Sequence, residues 1–140
     1  MRYPEHRPQW SRKVLNSVPK RLTRGLRGLE IGACGMPIPV GGVDMSYLDF
    51  DESRNNPHCF RGTELVVPHI IDDAQHMRMV PPESFDFVLG NHVLEHVPDF
   101  FAAIAAWVRS VRPGGLVLFA LPDACDKGWG LRVTSVTSDE

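Results

Sequence analysis

Apolar residues gather along this chain in short runs, each closed by glycine, proline or an acid. Gly28-Leu29-Glu30-Ile31-Gly32 is the first, a brief strand ending in glycine. Val43 to Leu48 alternates well enough for a second strand, with Asp49 at its end. Leu65 to Ile71 reads as a third, although Pro68 confines it to an edge or a bulge, and Asp72-Asp73 follow it. Phe85 to Leu89 is a fourth, apolar apart from Asp86, and Leu116 to Leu121 a fifth, ended by Pro122-Asp123. Between those two, Phe100, Ile104, Trp107, Val108 and Val111 recur at helical spacing. Asp99 suits the N-cap of that helix, and Arg112-Pro113-Gly114-Gly115 stops it.

Strands of this kind interleaved with helix predict a parallel α/β sheet, and ligands in such sheets sit beyond the carboxyl ends of the strands. The polar groups at those ends are Glu30 with Gly32, Asp49, Asp72-Asp73, Asn91-His92 and Asp123. Asp86 lies within a strand and reads as architectural, bonded to neighbouring backbone. Gly114-Gly115 reads as a turn, which the tolerance of glycine for positive φ explains fully.

Length allows one domain with a single core, at 140 residues, and a net charge of −2 points to no particular partner. Residues 1–27 are basic, with eight Lys and Arg against Glu5 alone. Transit peptides share that bias, but the early prolines and Glu5 favour a solvated helical lead-in with Trp10, Val14, Leu15 and Val18 on one face. No aromatic-studded basic stripe indicates nucleic-acid binding. No apolar run approaches the ~18 residues of a membrane span, so a cytoplasmic protein is expected. Three cysteines (Cys34, Cys59, Cys125) without paired spacing argue for a reducing compartment and an inert, buried Cys34.

From Leu29 to Asp123 the motifs, in order and spacing, resemble the class I S-adenosylmethionine-dependent methyltransferases, of the methyltransferase type 11 kind. The segments are L-E-I-G-A-C-G, E-S-F-D-F-V-L-G-N-H-V-L-E-H-V and R-P-G-G-L-V-L-F-A-L-P-D. The resemblance implies a Rossmann-like parallel sheet with flanking helices, and S-adenosyl-L-methionine as cofactor. It implies cofactor-binding roles for Glu30, Gly32, Cys34, Asp49, Asp73, Ala74 and Asn91. Glu30 and Gly32 would admit the methionine end, Asp49 would grip the ribose hydroxyls, and Asp73 with Ala74 would take the adenine. Cys34 and Met36 stand where the family's second and third glycines would be. Asp44 is a substitute for Asp49, which is preferred because its strand presents it at the carboxyl edge. The first crossover, Gly32 to Val43, is short and proline-bearing, so a helix there is not expected.

Rival readings are weaker. His92-Val93-Leu94-Glu95-His96 matches the zinc motif H-x-x-E-H, but Pro98 follows at once and the preceding residues are strand-like. No metal is therefore assigned. His92 and His96 remain candidates to take a proton from the methyl acceptor, beside a plain packing or capping role. A nicotinamide-binding G-x-G-x-x-G fails at Cys34 and Pro37.

The chain thus divides into a basic lead-in (1–27), an incomplete cofactor-binding domain (28–123) and a polar tail (124–140). About five strands are expected, with the last two of the family's usual seven missing. The fifth strand would then lie at the sheet edge and invite self-association. Methyl transfer to an unidentified acceptor, impaired by truncation, is the expected function; a non-catalytic cofactor-binding or association remnant is the alternative.

Overall fold

The structure is a computed structural model, and it describes residues 26–34, 37, 38, 40–51, 66–123 and 130–137. Five parallel strands form one sheet: β1 (Arg27–Ile31), β2 (Asp44–Asp49), β3 (Ile70–Ile71), β4 (Phe85–Asn91) and β5 (Val111–Asp123). A sixth, β6 (Gly130–Thr137), joins antiparallel to β5, giving the order β3-β2-β1-β4-β5-β6. Helix α1 (Phe100–Ser110) connects β4 to β5. The lead-in helix expected over residues 1–27 lies almost wholly outside the described residues, as does Leu65, the first residue of the expected third strand.

β1 runs through the middle of the sheet, Ile31 pairing with Leu48 on one side and Gly90 on the other. Leu29 and Ile31 are buried on the face covered by α1, among Leu48, Val88, Val117, Phe119 and Trp107. Phe87, Leu89, Leu116, Leu118 and Ala120 point to the opposite face, where Ile38 from the β1–β2 connection covers them. A strand buried on both faces needs apolar residues at nearly every position, which is why β4 and β5 read as continuous runs. β3 is short because Pro68 has no N–H to give the ladder; pairing begins only at Ile70 opposite Leu48.

The α1 start is as expected: Asp99 Oδ1 accepts from the Ala102 N–H at 2.9 Å. The helix lays Ala103, Ala106 and Trp107 on the sheet. Trp107 rests directly over Gly90, where a Cβ would collide with the indole ring.

Two expectations need correction at β5. Arg112 to Gly115 is not a turn before the strand but a bulge inside it. Phe85 pairs with Val111 and Phe87 with Leu116, so Asp86 alone faces the four residues Arg112 to Gly115. Gly114 takes φ +75 there, and a Cβ on Gly115 would strike Val111 and the backbone of Asp86. Asp86 is architectural as expected: its carboxylate accepts from the Arg27 N–H at 2.7 Å and pairs with Arg112.

Nor is β5 the sheet edge. β6, from the region read as polar tail, pairs with it from Leu116 opposite Thr137 to Asp123 opposite Gly130. Val133, Thr134, Val136 and Thr137 are β-branched and fit a pleated strand, a signal overlooked because the segment is short and polar. The described residues contain no helix long and apolar enough to cross a membrane.

Candidate cofactor-binding site

From β1 the chain builds outward through β2 to β3, then returns to β4 on the other side of β1. The strand order therefore reverses between β1 and β4, and a crevice opens beyond their carboxyl ends at such a switch point. Gly32 stands there. Its N–H donates to the Leu48 carbonyl at 2.8 Å, its φ is +67, and a Cβ would lie 2.7 Å from Val93 Cγ2. Conformation and space both call for glycine.

Glu30, one residue inside β1, is only 1% exposed. Both carboxylate oxygens accept from the Ile38 N–H, at 3.1 and 3.0 Å. A charge buried without partners is expensive, so this bond ties the acid to the connection it must hold. Among the described residues of that connection there is no helix, as its prolines and length imply. Cys34, in the same stretch, has φ +52. Here a correction is due: Cys34 is half-buried and disulfide-bonded, not an inert free thiol, with its partner outside the described residues. Cysteine spacing carries no trace of a pairing that only chain folding creates.

Asp49 closes β2 beside this crevice. Half-buried, it accepts from the Phe50 N–H at 2.8 Å. Burial pushes its carboxyl above the usual carboxylate range, only partly offset by that bond, while Asp51 adds to the rise. Asp44 begins the same strand, opposite Arg27, and so lies at the other edge of the sheet. Asn91 closes β4, and its Oδ1 is a buried acceptor with no hydrogen-bond partner.

Beyond β3, residues 72–80 form a series of turns. Asp72 is spent on them, accepting from the N–H groups of Asp73 and Met79 at 2.8 and 2.6 Å. Asp73 Oδ1 accepts from the Gln75 N–H at 2.9 Å, and its Oδ2 lies 2.6 Å from His76 Nδ1. These bonds, the Gln75 N–H first, hold its carboxyl below the usual range. Helix α1 clamps this loop: Trp107 Nε1 donates to the Ala74 carbonyl at 2.8 Å, and Arg109 Nη2 to those of Met77 and His76 at 2.8 and 3.2 Å. Trp107 reads in the sequence as apolar helix face only. Its indole N–H was the missed signal, because a buried indole seeks an acceptor.

His92 leaves β4 with φ +55, its N–H donating to Ala120 at 3.0 Å and its Nδ1 3.0 Å from Glu95 Oε1. Leu94–His96 is a single 3-10 turn, and His96 is exposed. The zinc reading has no structural basis: the helix that would carry both histidines does not form. Among the described residues no group of three or more His, Cys, Asp or Glu could hold a metal ion. The structure thus gathers Glu30, Gly32, Cys34, Asp49, Asp73, Ala74, Asn91 and His92 at the carboxyl edge. His96 stands outside, on the surface.

A parallel sheet whose strand order reverses between β1 and β4, with a glycine, a buried amide and an acid at the strand ends there, defines an α/β domain of the kind that takes ligands at such a crevice. The chain belongs to the methyltransferase-domain family, whose profile matches residues 38–119. S-adenosylmethionine is the cofactor that this membership indicates. A ubiquinone biosynthesis O-methyltransferase of Paramagnetospirillum magneticum is 40% identical over 113 residues, covering 78% of this chain and 45% of that protein. The protein of the same name from Thiobacillus denitrificans is 31% identical, covering 71% of this chain and 41% of its own length. The chain thus spans less than half the length of these curated relatives. Among solved structures, an S-adenosylmethionine-dependent methyltransferase from Mesorhizobium loti superposes with a TM-score of 0.59 at 17% identity, covering 91% of this chain and 64% of that one. A putative sarcosine dimethylglycine methyltransferase from Galdieria sulphuraria gives 0.59 at 20%, covering 85% and 49%. Both show the same fold.

Proposed function

We propose that this chain holds S-adenosylmethionine in the crevice beyond β1 and β4 and presents it for methyl transfer to a hydroxyl acceptor. The observation that carries this reading is Asn91 Oδ1, a buried acceptor left without a partner at the switch point. Buried polar atoms without partners are rare, and one aligned with the strand ends suits a ligand. Held by Gly32, Asp49, Asp73, Ala74 and Asn91, S-adenosylmethionine would supply an activated sulfonium methyl group.

The protein's part is to bind and orient. Gly32 lets the backbone come close, and Asp49 receives the ribose hydroxyls from a half-buried position where such bonds are strong. Asp73 and Ala74, held by α1, take the adenine. Glu30 acts through Ile38, fixing the connection instead of reaching the cofactor. Cys34 shapes the same connection. The names of the two relatives favour oxygen as the acceptor atom. A hydroxyl nucleophile must lose a proton, and His92, paired with Glu95, is an imidazole oriented by a carboxylate at the carboxyl end of β4.

Isothermal titration calorimetry with S-adenosylmethionine tests this reading. The native chain is expected to bind, and Asp49→Ala and Asn91→Ala each to lose about tenfold in affinity, ~1.4 kcal/mol. Unchanged affinity in both variants would remove the site. Binding without transfer in a methyl-release assay would leave the non-catalytic alternative in its place.

A further inference from the structure

We propose that Gln75 and His76 are positioning residues for nucleobase recognition: a hydrogen-bonded relay from the start of α1 sets the His76 tautomer and, through it, aims the Asp73 carboxylate. The inference deepens the reading above and rests on Asp73 as the acceptor for the adenine amino group.

The polarity of the relay follows from its first link. The Asp99 N–H lies 2.8 Å from the Gln75 side-chain atom Oε1. A backbone N–H can only donate, so that position must be oxygen, and the other end of the amide must be the NH2 group. That NH2 group sits 3.2 Å from His76 Nε2. A donor requires a lone pair opposite it, so Nε2 is the unprotonated nitrogen. In a neutral imidazole the hydrogen is then on Nδ1, which lies 2.6 Å from Asp73 Oδ2 and donates to it.

The Asp73 carboxylate therefore meets one donor at each oxygen: the Gln75 N–H at Oδ1 and the His76 ring at Oδ2. Two donors at fixed places set the plane of the group, and each oxygen keeps a lone pair to offer elsewhere. The backbone beneath is equally fixed. The Asp73 carbonyl accepts from Met77 at 2.9 Å and His76 at 3.2 Å, while Trp107 and Arg109 hold Ala74, His76 and Met77 from α1. One helix thus governs both the loop and, through Asp99 and Gln75, the direction of the acid. Without the relay, the exposed Asp73 carboxylate keeps only the Gln75 N–H at Oδ1 and can turn about that bond, and a base-recognition bond would have to freeze its plane on binding.

Long-range proton–nitrogen NMR on the full chain reads the tautomer directly. His76 is expected as the Nδ1–H form, and Gln75→Leu is expected to shift it toward the Nε2–H form. Calorimetry then compares S-adenosylmethionine with its counterpart bearing a 6-oxo group in place of the 6-amino group. Gln75→Leu and His76→Leu are expected to bind the amino cofactor about tenfold more weakly, with little change for the oxo compound, which presents an acceptor at position 6 where the amino group presents a donor to Asp73. His76→Asn, whose amide nitrogen stands near the Nδ1 position, is expected to restore most of the loss. Failure of Asp73→Ala to weaken S-adenosylmethionine binding would overturn the adenine reading itself. If Asp73→Ala weakens binding while the Gln75 and His76 variants do not, or if native His76 carries its proton on Nε2, the relay is wrong.

Discussion

Alanine at Gly32 meets two separate penalties, and a mutant cycle can measure them apart. The first is conformational: at φ +67 a residue with a Cβ costs ~1–2 kcal/mol relative to glycine. The second is steric: the new Cβ would lie 2.7 Å from Val93 Cγ2, and an overfilled contact of this kind typically costs about 1–3 kcal/mol. Because the offending atom is a side-chain methyl, Val93 can yield, which places the steric part toward the lower end. Gly32→Ala is therefore expected to destabilise the chain by roughly 2–4 kcal/mol, a large fraction of the stability of a typical domain. Val93→Ala removes the clashing methyl. In the double variant the steric part is expected to vanish and the conformational part to persist, giving a favourable coupling of about 1 kcal/mol or more. Urea denaturation followed by fluorescence of the buried Trp107 supplies the four stabilities. Simple additivity of the two single variants would refute the claim that Gly32 and Val93 are in contact. A Gly32→Ala variant as stable as the native chain would refute the backbone argument as well.

Two further outcomes follow from the geometry. Trp107→Phe keeps a ring over Gly90 but leaves the part-buried Ala74 carbonyl without its donor, an expected loss of ~1–3 kcal/mol in denaturant unfolding. Asp49 titrates above its ordinary 3.8 in the fold, so the folded state takes up its proton more readily than the unfolded one. Stability from this group is therefore highest at acid pH and falls as pH rises from 3.8 through the raised folded value. Asp49→Asn is expected to match or exceed the native ligand-free stability at neutral pH, with the difference closing toward pH 3.8, as read by thermal unfolding across pH.

Much of the scaffold was legible because it is local. Asp99 caps α1 since its side chain needs only an N–H three residues on. Asp49 and Asn91 fall at the carboxyl edge because each follows directly from an apolar strand, and the short β1–β2 connection excludes a helix through its prolines. Asp86 was legible as an architectural acid, though not the bulge it faces. The bulge of β5 exists only relative to the register of β4, and register is a property of two strands together.

The linear chain determined the class of fold, the succession of its parallel strands along the sequence and which polar residues fall at their carboxyl ends, because periodicity and end signals act over a few residues. Tertiary structure alone decided the rest. β6 covers β5, Cys34 finds a disulfide partner, Trp107 and Arg109 grip a loop about thirty residues away, and Asp99 reaches Gln75. Each is a contact between segments distant in sequence, where residue type states what a group can bond to but not what the fold will bring within reach.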